Sequence, residues 1–517
     1  MNIRKVYLGL IAILSVALFY EWTSDSRAES VVDHLEAAKV ENLKPQVSDD
    51  GLYVYLENDL LKLKIAIQTG SIVESRLKEY GVENVEGSMG VRVFGSSETG
   101  SFKYYLKTGF TGQASKYVLD NYGDSFVILK STDGDLTKEF SFLPNTYEVL
   151  VKDSSDNGVG GKPFASLYRT EGRSLDLKTA VIEGGMMNNS SYQGVVISSD
   201  QDPYLSSRLR SIDEPFSVLS RSGWVSFIQK YFFAVLIGSD DYVYNYFAQP
   251  ANSGTYRMGY TVEKGEATNL VYSHSHRVFI GPKIRKDLAQ RADNLELSID
   301  MGWFWFISQP MVWFLDLINE YVNSWALSII IFTLILKLAL FPVTAKGFAS
   351  MAGMRKVGPM MKDIQDRHKN DRQKASAEVM ALYKKEGVNP LGGCLPVLAQ
   401  MPFFIGFFFA LREMVELRHA SFYWISDLSI PDPLFILPVL FGLVMVSTQK
   451  LSPAPPTSDP TQAQVMKYMP VVFSIFFFIF PAGLCLYSVV NSGFSLGQQR
   501  YLYKKTGVLG DVGSGGS

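Results

Sequence analysis

An α-helical membrane protein with six transmembrane helices and one large exported all-β sandwich is what the patterning of this chain predicts. Three observations carry that expectation. Apolar runs approaching the roughly 20 residues of a membrane helix occur once near the N-terminus and then beyond residue 300. Between them, stretches such as YVYLEN, LKLKIAI, SFVILKS, KEFSFL and YEVLVK alternate apolar and polar residues and end at Gly, Asn or Asp, the period-two signature of strands. Charge divides the same way. Residues 23–300 hold 37 acidic and 29 basic residues and residues 301–517 hold 13 and 18, so a net charge of -2 conceals two opposed halves.

Taken in order, residues 1–22 form a transmembrane anchor. Arg4 and Lys5 precede the apolar stretch from Val6 to Tyr20, and Phe19, Tyr20, Glu21 and Trp22 stand where a cleavage site needs small residues, so the helix is uncleaved with its N-terminus in the cytoplasm. Residues 23–49 are polar and read as a tether. Residues 50–297 supply strand-like runs at spacings of about 8 to 12 residues, enough for one sandwich of two sheets. Residues 298–322 carry tryptophans together with Pro310, Asp316 and Glu320, which suits an amphipathic helix lying on the outer leaflet better than a span. A linker helix packed on the soluble domain is the alternative.

Residues 323–505 hold five further crossings, at Trp325 to Phe341, Leu395 to Leu411, Pro433 to Ser447, Tyr468 to Phe480 and Ala482 to Leu496. Loop charge orients them. The stretch from Val343 to Pro390 holds ten Lys or Arg against five Asp or Glu, and Arg500, Lys504 and Lys505 follow the last crossing, so both stay in the cytoplasm. The loop from Arg412 to Asp432, with two basic and four acidic residues, faces outward, and Pro481 to Gly483 make a tight outer turn. Residues 343–390 read as a cytoplasmic helical hairpin turning near His368 to Asp371, with apolar spacing at Met351, Met354, Val357, Met361 and Ile364. Its methionines serve either as hairpin core or as an adaptable surface for varied apolar segments. Residues 506–517 end in GSGGS, which resembles an expression-vector remnant.

Chemistry-bearing residues are few. Lys337 interrupts WALSIIIFTLILKLALFP, where a charge costs several kcal/mol unless it faces water or a partner. It either snorkels past Pro342 to the interface or marks a functional path; Thr333, four residues earlier on the same helical face, extends a polar stripe. Cys394 and Cys485 both fall by apolar segments, which argues against a disulfide framework. His274 and His276 alternate on one strand face and lack a third ligand by spacing, so they read as a solvated face rather than a metal site. No nucleophile elbow, phosphate loop or metalloprotease helix occurs, so no metal, cofactor or enzymatic activity is expected.

Several stretches resemble the YidC/Oxa family of membrane protein insertases in its Gram-negative branch: GWFWFISQP, SIIIFTLILKLALFP, EGVNPLGGCLPVLAQMPFF, VELRHASFYWISDLS, QVMKYMPVVFSIFFFIFPAGLCLY and, ending the sandwich, VFIGPKIRKDLA. The resemblance implies a five-helix core with a hydrophilic groove open to cytoplasm and lipid, preceded by an extra helix and a periplasmic sandwich. Family members present an arginine into the groove where this chain has Lys337; lysine keeps the charge and loses the bidentate fork. Groove candidates are Lys337, Thr333, Gln400, Ser474, Tyr487 and Asn491. Hairpin candidates for substrate or targeting contacts are Met354, Arg355, Met361, Lys362 and Arg367. Implied partners are nascent membrane proteins, the Sec translocon, the ribosome with targeting factors, and the inner-membrane bilayer, with no nucleic-acid substrate. A small-solute transporter would show repeated halves with broken helices, and an envelope carbohydrate-active protein would show a carboxylate or histidine constellation.

Overall fold

The computed structural model describes residues 46–507 except 83, 85–86, 98–101, 157–160, 171–193, 253, 264–272, 369–370, 390–394, 453–467, 470 and 506. The anchor expected at 1–22, most of the tether, the tail beyond 507 and Cys394 lie outside the described residues. The chain divides into two compact units, a β unit ending at Asp300 and a helical unit beginning at Met301, with Glu413–Val415 joining the β unit.

Two antiparallel sheets build the β unit, as the alternating patterns predict. The eleven-stranded sheet runs Gln46–Val47, Tyr53–Glu57, Leu61–Ala66, Ser71–Gly81, Lys103–Phe110, Pro163–Thr170, Thr255–Val262, Tyr244–Asn252 and Phe216–Ser220, with Gly90–Arg92 and Gly95–Ser96 paired to its side. The nine-stranded sheet runs Leu205–Arg208, Gly194–Ser198, Trp224–Ile228, Phe232–Ile237, Ser273–Pro282, Glu148–Ser155, Leu136–Phe142, Phe126–Ser131 and Tyr117–Gly123. The first pairing, Gln46–Val47 with Val54 and Tyr55, begins inside the expected tether. Every second residue points inward, so Leu61, Leu63 and Ile65 are buried while Lys62 and Lys64 are not, and edge-to-face rings such as Tyr104 on Phe227 join the sheets.

The expected solvated histidine face is wrong. His274 is 3% exposed and His276 0%, because strand Ser273–Pro282 turns both inward. Cross-strand register puts Lys138 opposite Asp153 and Asp153 opposite His274. Lys138 Nζ donates to Asp153 and to Thr108 Oγ1, the latter at 2.6 Å, and His276 meets Asp153 at 3.3 Å and the Tyr260 hydroxyl at 3.0 Å. Partners from both sheets reach Lys138 and His276, while neither ring nitrogen of His274 meets a hydrogen-bond partner among the described residues; periodicity cannot show such burial.

The β unit carries helix α1 Arg285–Arg291; in the helical unit we number α2 Trp305–Val322, α3 Trp325–Ala339, α4 Phe341–Arg367, α5 Arg372–Lys385, α6 Leu395–Glu413, α7 Ile436–Leu451 and α8 Ala482–Lys505. Among the described residues no single helix is long and apolar enough to cross a membrane; α3 and α4 pass together by length and composition, bent by 66° at Leu340. Pro342, in the first turn of α4, cannot donate back to α3, which gives the bend its cause. Residues 471–476 are helical and 477–480 form turns, so that element is shorter than the expected run to Phe480. Pro481 bridges to Pro431, and α8 begins at Ala482.

Helix α2 buries Met311, Val312, Leu315 and Ile318 and exposes Trp305, Phe306, Trp313 and Tyr321. The hairpin of α4 and α5 forms with Asp371 as N-cap, accepting from the Lys374 amide at 3.0 Å. Its core consists of Met354, Val357, Met361, Ile364, Val379 and Tyr383. Met354 and Met361 therefore face inward in this arrangement, contrary to an exposed contact role, because the residues at their spacing seal one helix against the other. Met360 and Met380 are the exposed ones.

Candidate functional site

The polar site is built by α3, α6 and α8, and its centre is Lys337. Apolar packing of Leu327, Ile329 and Phe332 holds the inward face of α3, and Lys337 follows on that face in the last turn. The helix's carbonyl end favours a cation there. Leu338 and Ile335 project outward, so the helix is apolar outside and polar within.

Lys337 is 2% exposed. Its Nζ donates to Gln400 Oε1 at 2.6 Å and to Ser495 Oγ at 2.7 Å. Gln400 Nε2, on α6, in turn donates to Asn491 Oδ1 and to the Tyr487 hydroxyl, the latter at 3.1 Å. Every partner in this chain is neutral. Among the described residues no carboxylate forms an ion pair with Lys337, so hydrogen bonds solvate its charge without cancelling it. Such a site can attract an anionic group and offer amide and hydroxyl exchange partners to it.

Aromatic side chains line one side. The Tyr487 ring lies 4.4 Å from Phe407 and 6.4 Å from Phe404, and Phe407 stacks on Phe332 at 5.4 Å. Close helix approach permits this: at Gly406 a Cβ would meet Ile307 at 3.2 Å, and its carbonyl accepts from Ser308 Oγ at 3.0 Å.

Four of the six expected groove residues come together: Lys337, Gln400, Tyr487 and Asn491. Thr333 is buried on the same face of α3, yet its hydroxyl donates to its own helix at Ile329 O, 2.6 Å away. Ser474 donates to Val471 O at 2.8 Å and packs against Gly442 of α7. Sequence reasoning missed Ser495. Its signal was present, since Tyr487, Asn491 and Ser495 recur every four residues.

On the hairpin, Arg355 donates to Leu451 O at 3.0 Å and lies over the Tyr503 ring, so it ties the hairpin base to α7 and α8. Lys362 and Arg367 are exposed, Arg367 donating to Asp363 O at 3.3 Å.

Comparison with known proteins locates both units. A family model described as YidC periplasmic domain matches residues 53–314, and one described as 60Kd inner membrane protein matches residues 317–508. The membrane protein insertase YidC of Azotobacter vinelandii is 35% identical, the match covering 87% of this chain and 84% of that protein. The protein of the same name from Marinomonas sp. is 34% identical over 98% of this chain and 99% of its own. A crystal structure titled as an active YidC insertase with its first transmembrane domain resolved is 19% identical at a TM-score of 0.40, covering 97% of this chain and 100% of that one. With relatives this similar over nearly its whole length, the chain belongs to the YidC family of membrane protein insertases.

Proposed function

We propose that this inner-membrane protein inserts nascent membrane proteins by drawing a polar or acidic segment of the incoming chain to Lys337, while the apolar segment slides into lipid along the outer faces of α6 and the Tyr468 to Phe480 segment. The carrying observation is a lysine that is 2% exposed and, among the described residues, bonded only to neutral partners, Gln400 and Ser495. A charge solvated without being cancelled leaves a positive potential for substrate. Neither a nucleotide nor a catalytic residue is needed, because burying apolar area in lipid supplies roughly 25 cal/mol per Å².

In this reading the chain crosses the membrane six times with both termini cytoplasmic, five crossings form the core, and α2 lies on the outer leaflet with its exposed tryptophans at the headgroups. The Tyr468 to Phe480 segment, short for a span, thins the bilayer locally. Lys362 and Arg367 on the exposed hairpin face meet the ribosome, targeting factors or anionic lipid, and the Sec translocon is a partner for larger substrates.

Vesicles containing only this protein test the proposal. A short single-span substrate with an acidic tail is expected to insert, and solute flux is not expected to rise. Flux without insertion would replace the reading with transport.

A further inference from the structure

Gln498 lies on α8 beyond the site already described. It is 4% exposed, and among the described residues neither its amide nitrogen nor its amide oxygen meets a hydrogen-bond partner. An orphaned buried amide is costly, and a leucine or methionine of similar volume would fill the position without that penalty. Its neighbour shows the contrast. Gln499 is 0% exposed and its Oε1 also meets no partner among the described residues, but its Nε2 donates to Tyr503 OH at 3.1 Å and to Ser452 Oγ at 3.4 Å, so half of its amide ties α8 to the end of α7.

Position assigns Gln498 to the groove. At about 100° per residue, Tyr487, Asn491, Ser495 and Gln498 fall within an arc of about 80°, with Gln498 between the first two in azimuth. It continues the stripe by about one turn beyond Ser495, towards the C-terminal end of α8. An uncharged group with donors on one atom and an acceptor on the other complements a peptide unit. It does not complement a carboxylate as Lys337 does.

We propose that Gln498 is a substrate-positioning residue that pairs with the backbone of uncharged polar segments travelling along this stripe. The proposal rests on the insertase reading above.

The test uses the full chain in vesicles and two substrates sharing one apolar span, with either a Ser/Asn/Gly tail or an acidic tail. For Gln498→Leu, insertion of the uncharged-tail substrate is expected to fall by roughly threefold to tenfold, the size of one or two lost hydrogen bonds. The acidic-tail substrate is expected to lose less than about twofold, being held by Lys337. The melting temperature of the variant is expected to equal or exceed that of the original protein. In a variant with Cys394 and Cys485 replaced, Gln498→Cys is expected to crosslink to a single cysteine in the uncharged tail. Unchanged insertion by Gln498→Leu, or a fall in its melting temperature, would overturn the proposal. Failure of the unmutated protein to insert either substrate would instead overturn the insertase reading.

Discussion

Two buried lysines in one chain are treated in opposite ways. Lys138, in the sandwich, is 0% exposed and faces the carboxylate of Asp153, with Thr108 completing its shell. Lys337, in the helical unit, is 2% exposed and faces an amide and a hydroxyl. In the first the charge is cancelled within its own sheet, and the bond from Lys138 to Thr108 reaches the other sheet. In the second it is solvated but, among the described residues, left uncancelled. A buried charge that serves the fold comes with its counter-ion, and one that serves a visiting ligand leaves the counter-ion to the ligand.

The largest effect that tests this contrast is expected from Lys138→Met. Removing the cation strands Asp153, and breaking such a buried pair costs about 3–5 kcal/mol. Hydrogen exchange over Glu148–Ser155 should accelerate accordingly, and replacing Asp153 by leucine as well should restore part of the protection. If Lys138→Met left exchange unchanged, the sandwich lysine would not be structural.

Acid should act on the same cluster. Burial, and then the nearby His276, push His274 down from 6.5 to about 3. Because the folded value is depressed, the neutral histidine contributes its full stability above about pH 6.5 and loses it as pH falls towards about 3. Asp153, which burial would raise, is held at about 2 by Lys138 and His276, so it stays ionised through that window. Exchange in Ser273–Pro282 should indicate a loss of about 3 kcal/mol by pH 4, and His274→Phe should flatten the profile.

The groove should respond in function instead. Lys337→Glu reverses the potential and is expected to slow insertion of an acidic-tailed substrate by more than about a hundredfold, with Lys337→Arg close to the original protein. Full insertion by the glutamate variant would remove the electrostatic basis of the comparison. The smallest effect belongs to Ser495→Ala, which deletes one neutral acceptor of Lys337 and is expected to slow insertion by about threefold, measured in the same vesicles.

Local patterns in the sequence account for much of this. Alternation gave the two sheets, the bend after Ala339 is foreshadowed by Pro342, and a lysine inside an apolar run pointed to the polar site. The failures share one cause, which is that exposure depends on partners distant in sequence. His276 looked solvated because Tyr260 and Asp153 reach it from other strands. Met354 and Met361 carried the right helical period, but only α5 folding back onto them decides that they are core. Thr333 shares a face with Lys337, yet a hydroxyl in a helix can turn to its own carbonyl ladder. Ser495 was legible, and reading polar residues as a stripe rather than singly would have found it.

The most direct test of the central claim is to replace Lys337 by methionine and measure insertion of two substrates differing only in tail charge. In vesicles containing the original protein the acidic tail should insert faster than the neutral one. With Lys337→Met the ratio should fall to about one while the melting temperature changes little, since no counter-ion is stranded. An unchanged ratio, or a collapse in stability like that expected for Lys138→Met, would contradict the view that this lysine's charge is kept for the substrate.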